Sequence, residues 1–340
     1  MARYADEIVR HVRPLLAGSE QIGFEELPSP RMDGGWARYW DQYVRYGRHA
    51  REHAGDVNHI VDHAYSHLIS SLPPGRALVT YHDAVAVTIP GAKWRTRQSL
   101  AYNLRAMRGA AAIVCLSASS RRELLGMIEM PEERVHVIPM GIDEAFRPAP
   151  DRQQVRRRLG ISGDAVLMVG HTQPYMNIER MLRAFGMLVA QQTHDPTLIK
   201  IGLPFTPDQQ RLIAELEFGD RVQVVGRVPT DELPAYYQAA DVLLYAPLWA
   251  GFGLPPLEAM ACGTPVVCSK SGALPEIVGD AALMADANDD AGLARALTEI
   301  VSSPALRRRL VDAGFERAGR FEWTHDARQL LELYRAIGQA

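Results

Sequence analysis

Cysteine is scarce in this chain of 340 residues. The three present, Cys115, Cys262 and Cys268, form no CxxC pair and no disulfide framework, so a reducing cytosol is the expected setting. Long apolar runs are missing too: none approaches the ~18 residues a membrane-crossing helix needs. The opening MARYADEIVRHV carries charges and lacks the apolar core of a secretory signal. It reads as an amphipathic helix with Tyr4, Ile8 and Val12 on one face. The net charge of −3 gives no basis for a nucleic-acid partner. Acidic residues are absent from Ala84 to Arg122, where Lys93, Arg95, Arg97, Arg105, Arg108, Arg121 and Arg122 accumulate around Trp94. An aromatic ring among cationic chains suits contact with anionic headgroups, so a peripheral contact with an anionic membrane through Lys93–Arg122 is one expectation, against a plain solvated face. Repeats and low-complexity segments are also absent.

What is present is enough apolar residue, 47%, to build two cores. Apolar runs at 57–61, 76–82, 111–117, 134–139, 165–170, 198–203, 221–226, 242–247 and 264–269 alternate with segments of helical spacing such as 179–192 and 231–241. That alternation predicts two α/β domains with parallel sheets covered by helices on both faces. A polar stretch at 142–154, flanked by Pro148 and Pro150, predicts the linker. Two such domains facing each other would form a cleft, and ligands of parallel sheets bind beyond the carboxyl ends of the strands.

The most informative strand-end loop is GFGLPPLEAMACG, 251–263. Gly251 and Gly253 permit a tight turn and a close ligand approach. Pro255 and Pro256 suit a first helical turn, and Gly263 suits its stop. Backbone N–H groups at about 252–257 would then be free for a phosphate. Glu258 would repel a phosphate and is better placed to accept hydrogen bonds from ribose hydroxyls; a plain strand–helix connection with a dipole-friendly acid is the bland alternative. His59, His63 and His67 are spaced like metal ligands on a helix, but His59 falls in the strand-like VNHIV, so no metal site is expected there.

GFGLPPLEAMACGTPVV followed by GALPEIVGDAA resembles the donor-binding signature of glycosyltransferase family 4, which has the GT-B fold. CLSASSRRELL with RVHVIPMGIDEAFRP, VVGRVPTDELPAYYQAADVLLYAP, FEWTHDARQLLELYRAI, HIVDHAYSHL and VTYHD resemble other family segments in the same order. The resemblance implies an acceptor-side domain at 1–146, a donor nucleotide-sugar domain at 147–322 and a terminal helix at 323–340 crossing back to the first domain. It implies that backbone groups of Gly251, Phe252, Gly253 and Leu254 line the donor sugar and phosphates, that Glu258 holds the ribose, and that Val228 reads the base edge. It makes His82 the histidine contacting the transferred sugar, and places His63 and Tyr65 on the acceptor side. It further implies a cytoplasmic, metal-independent, cofactor-free retaining transfer from a nucleoside-diphosphate sugar to a glycan, lipid-linked or small-molecule hydroxyl, without a protein nucleophile.

The chain departs from the family at three points. Ala250 stands where the first glutamate of the E-x7-E pattern is usual, and Tyr175 and Met176 stand where a basic pair is usual. Each lost charge-assisted hydrogen bond is worth roughly 1.5–3 kcal/mol. The strand and glycine-rich loop that open the family are not seen ahead of the first helix, so either the native start lies upstream or a strand has been lost. Three readings follow: an enzyme using other groups such as His171 or Gln173, or Lys and Arg from elsewhere; a degenerate binding protein without turnover; or an inactivated or truncated form.

Overall fold

A computed structural model describes residues 2–28, 40–84 and 94–339. The chain divides into two compact units, Met1–Gly141 with Glu322–Ala340, and Ile142–Phe321. The first division thus falls between Gly141 and Ile142, at the start of the expected linker, and the second between Phe321 and Glu322.

In the first unit, strands β1 (Asn58–Ile60), β2 (Ala77–Tyr81), β3 (Ala112–Cys115) and β4 (Val135–Val137) form a parallel sheet in chain order. β2 and β3 are buried throughout, as their apolar sequences, broken only by Thr80, suit central parallel strands. The amphipathic face expected at the start is real: Tyr4, Ile8 and Val12 of helix Ala2–Val12 are all buried. The last helix, Trp323–Gln339, belongs to this unit; its Trp323 stacks on His11 at 5.5 Å, and Arg76 donates to Ile337 O and Gly338 O at 2.6 and 2.7 Å.

The second unit holds a parallel six-stranded sheet of β5 (Asp164–Gly170), β6 (Pro196–Gly202), β7 (Val222–Gly226), β8 (Val242–Tyr245), β9 (Val266–Ser269) and β10 (Leu283–Ala285), in the order β10-β9-β8-β5-β6-β7. All nine expected strands are present; β10 was not foreseen, because Leu-Met-Ala has neither β-branching nor alternation to mark it. The sheet is tied to helix Arg152–Leu159 by Asp241, which accepts from Arg152, Arg156 and the Ala165 N–H at 2.7–2.9 Å. Burial would raise the Asp241 carboxyl, but the arginines beside it hold it below its usual range.

The order of this sheet matters for function. From β5 the chain moves outward through β6 and β7, then returns to the other side of β5 to place β8, β9 and β10. The carboxyl ends of β5 and β8 therefore flank the point where strand order reverses, the place where open parallel sheets hold ligands.

Candidate active site

Two loops meet at that reversal. The loop after β5 runs through His171 to Asn177, and the loop after β8 runs from Ala246 to Gly253. Leu248 N–H donates to Tyr175 O at 2.8 Å, stitching one loop to the other. Asn177, held at φ 59°, does more: its side-chain amide donates to Ala246 O at 2.9 Å and to Ala287 O at 2.7 Å. One buried side chain thus fixes the loops after β5, β8 and β10 together. Ala250 O accepts from Ala273 N–H at 2.8 Å, and a Cβ on Gly272 would collide with the Ala250 backbone.

The turn into helix Leu254–Ala261 is made by Gly253 at φ 127°. A side chain there would be strained and its Cβ would meet Leu274 at 2.8 Å, so glycine is required. The expected run of free N–H groups is shorter than 252–257. Pro255 and Pro256 have none, and Leu257 N–H turns back to Gly253 O at 3.5 Å. The backbone donors left for an anion are those of Phe252, Gly253 and Leu254, which meet no backbone acceptor among the described residues. The Phe252 ring is buried, edge-on to Phe321 at 5.9 Å, so only its backbone is available to a ligand. Next to Ala250, Trp249 Nε1 is a buried donor with no partner among the described residues.

Glu258 lies in the second turn of the helix and is 2% exposed. Tyr237 Oη donates to its Oε2 at 2.8 Å. Burial first, and the Glu258 charge second, push the Tyr237 hydroxyl well above its usual range, so it keeps its proton and remains the donor.

The loop in which a basic pair is usual is held by other contacts. Tyr175 Oη meets His171 Nε2 at 2.7 Å, and Gln173 N–H donates to His171 Nδ1 at 3.4 Å. Burial, then the nearby Lys200 charge, lower the His171 pKa, so this ring is neutral near pH 7. Gln173 itself is exposed. Met176 is buried, and a Cβ on Gly170 would meet its Cε at 3.0 Å. Lys200, in the middle of apolar β6 and 1% exposed, sends Nζ to Gly170 O at 2.5 Å and to Ile201 O at 2.9 Å. Burial lowers its pKa to about 8. An ammonium group and the Met176 methyl thus converge on the same glycine, the first residue of the loop that should have carried the cation. Val228 is half-buried in the loop after edge strand β7, just beyond Gly226 at φ 86°.

In the first unit, His82 follows β2 directly. Its Nε2–H donates to Val61 O at 2.8 Å, which leaves Nδ1 as an acceptor. His63 is its neighbour, with ring centroids 6.2 Å apart. Burial lowers the His63 pKa to about 4 and lowers that of His82 as well, so both are neutral near pH 7. Tyr65 is not brought to this pair: it packs on Tyr46 and His67 at 6.3 and 6.2 Å. His59 bridges Tyr334 and Thr80 at 2.7 Å, and His67 bonds Asn103 at 3.0 Å, so these two evenly spaced histidines are engaged with different partners. Glu123 was not foreseen. It accepts from Tyr81 Oη at 2.7 Å and from Ala84 N–H at 3.1 Å, holding the segment that carries His82.

Of the basic stretch, Lys93 lies outside the described residues. Trp94 opens helix Trp94–Met107, is 69% exposed and has Arg95 over its ring at 5.8 Å. Arg121 is engaged with Glu132 at 2.8 Å and Val135 O at 3.0 Å, so it is not a free member of the patch. No helix among the described residues is long and apolar enough to cross a membrane.

A parallel-sheet unit with a glycine-turned helix start at its reversal point, preceded by a second parallel-sheet unit, defines a two-domain α/β protein of the GT-B class. Residues 8–146 match the family model described as Glycosyltransferase Family 4, and residues 151–317 match that of Glycosyl transferases group 1. The chain belongs to the GT-B glycosyltransferases of the family 4 type. It is 29% identical over 273 residues to O-antigen chain mannosyltransferase B of Escherichia coli, covering 77% of this chain and 71% of that protein. It is 34% identical over 244 residues to D-inositol 3-phosphate glycosyltransferase of Frankia alni, covering 67% of this chain but only 59% of that longer protein. Among solved structures, WaaG, a glycosyltransferase involved in lipopolysaccharide biosynthesis, superposes with a TM-score of 0.80 at 18% identity over 98% of this chain and 95% of its own. Anabaena Alr3699/HepE in complex with UDP-glucose superposes at 0.74 and 19% identity, over 86% of this chain and 82% of its own.

Proposed function

We propose that this protein is a retaining glycosyltransferase that moves a sugar from a nucleoside-diphosphate sugar to a hydroxyl acceptor. The observation that carries the reading is the stitched pair of loops at the β5/β8 reversal, with Phe252, Gly253 and Leu254 N–H groups on one side and the Lys200 ammonium beneath the other. In this reading the diphosphate takes the backbone donors and the charge of Lys200, Glu258 accepts from the ribose, and Val228 meets the base. Lys200 does the work of the cation absent at 176. Transfer needs no resident cofactor or metal: positioning and stabilisation of the departing diphosphate lower the barrier. His82, neutral and with Nδ1 free to accept, orients a hydroxyl of the transferred sugar. The mannosyltransferase and the UDP-glucose complex among the similar proteins support a hexose nucleotide as donor. The acceptor is a glycan or lipid-linked hydroxyl, reached where the exposed Trp94 and its neighbouring arginines give the first unit a cationic face toward an anionic bilayer.

Thermal-shift measurements with UDP, GDP and ADP and their sugars test the donor half without the acceptor. One nucleotide series raising the melting temperature supports it; no series doing so removes it.

A further inference from the structure

The reading above leaves unused a group of side chains in the first unit. Glu25, His49 and His53 each present one potential ligand atom, and the three atoms lie within 4.8 Å of one another. His49 is in helix Tyr46–Glu52, and His53 caps its carboxyl end. The i, i+4 spacing puts the two rings one above the other, with centroids 4.1 Å apart.

Two further observations mark the group as more than a surface coincidence. His49 Nε2 is buried and has no hydrogen-bond partner among the described residues. A buried polar nitrogen left unmatched costs free energy that folding proteins normally avoid. The other ring is oriented as metal-binding imidazoles are: His53 Nδ1 donates to His49 O at 2.9 Å, which fixes the tautomer with the Nε2 lone pair outward. The nearby Glu52 accepts from Arg48 Nε at 2.7 Å. Glu25 supplies the anionic oxygen from a different segment.

We propose that Glu25, His49 and His53 form a site for a divalent cation of the zinc type, with water as the fourth ligand. Two imidazoles and one carboxylate are the ligand set of zinc and its neighbours, not of magnesium or calcium. Zinc–nitrogen and zinc–oxygen distances of about 2.0–2.2 Å bring tetrahedral ligand atoms to about 3.5 Å apart, so small side-chain rotations close the observed group. The ion clamps the segment at Glu25 to the helix Tyr46–Glu52. That helix packs Tyr46 on Tyr65, in the same segment as His63, so the clamp steadies the acceptor-side wall rather than entering the transfer.

The test is calorimetric titration of Zn2+ into the full chain after chelator treatment, with far-ultraviolet circular dichroism confirming folding. The wild type binds one equivalent. His49→Gln and His53→Gln each weaken that site by more than the tenfold or so that loss of an outer partner costs, and Glu25→Gln weakens it less. Substitution by Co2+ gives visible d–d bands in the wild type that His49→Gln abolishes. No Zn2+ binding, or the same isotherm from the doubly substituted His49→Gln/His53→Gln protein, overturns the proposal. The latter result assigns the ion to other histidines.

Discussion

Tyr237 donates its hydroxyl proton to Glu258 across 2.8 Å inside the second unit, between helix Leu233–Ala239 and helix Leu254–Ala261. The bond holds the carboxylate that the functional reading assigns to the ribose. Two consequences can be separated. Glu258→Gln removes the charge, which is worth roughly 1.5–3 kcal/mol for hydrogen bonds to an ionised group, or a ten- to hundredfold loss of nucleotide affinity. Titration with a nucleoside diphosphate and its 2′,3′-dideoxy form checks the role. The wild type discriminates between the two and Glu258→Gln does not. Unchanged affinity in the variant removes the ribose assignment.

Lys200 gives a pH signature. Burial lowers its pKa to about 8 from 10.5, so in the free protein it loses its charge as pH rises through that value. Diphosphate affinity therefore falls above about pH 8 in the wild type. Lys200→Met is weaker at neutral pH and loses that fall. The same shift makes the unfolded chain bind more protons than the folded one between about 8 and 10.5, so Lys200 adds stability as pH rises across that window. Parallel affinity curves for wild type and Lys200→Met contradict the assignment.

The absent family charges are not simple vacancies to refill. Met176 and Ala250 are both buried, and Ala250 is backed by Gly272. Ala250→Glu with Met176→Lys leaves turnover flat or lower, and Met176→Lys destabilises the second unit by about 1–3 kcal/mol through a buried, poorly partnered ammonium. Raised turnover in the double variant shows instead that the charges were lost from a site otherwise unchanged.

Asp326 is a second titrating group, to which the functional reading gives no role. It is 3% exposed, its Oδ2 has no partner among the described residues, and burial raises its pKa from 3.8 to about 7. The folded state then holds a proton that the unfolded chain has released between pH ~4 and ~7, so stability falls as pH rises through that window. Asp326→Asn removes that slope and stabilises the protein at pH 8 by as much as roughly 4 kcal/mol. Chemical denaturation at pH 5 and pH 8 measures both.

Much of this architecture could be read in advance because parallel strands announce themselves. Runs such as 77–81 and 242–247 are almost wholly apolar, as strands buried on both faces are, and glycine and proline mark where they stop. The loop 251–263 was legible for the same reason, as Gly253 and Gly263 do occupy positive-φ positions. What stayed hidden depends on distance in space. Lys200 is one cation inside an apolar strand, and only the fold carries its Nζ to Gly170. Asn177 unites three loops from far-apart segments; its one local signal is an asparagine suited to the left-handed region just before a helix. The resemblance places Tyr65 with His63 on the acceptor side, while the kink at Tyr65 packs its ring on Tyr46 and His67, which no local pattern signals.

The claim that the β5/β8 loops cradle a nucleoside-diphosphate sugar is tested most directly by calorimetric titration of the folded protein with UDP, GDP and ADP. One of the three binds at one equivalent, its sugar conjugate binds at the same site by competition, and Gly253→Ala, which forces a side chain onto Leu274, loses both. Failure of all three nucleotides to bind the folded wild type at millimolar concentration contradicts the account.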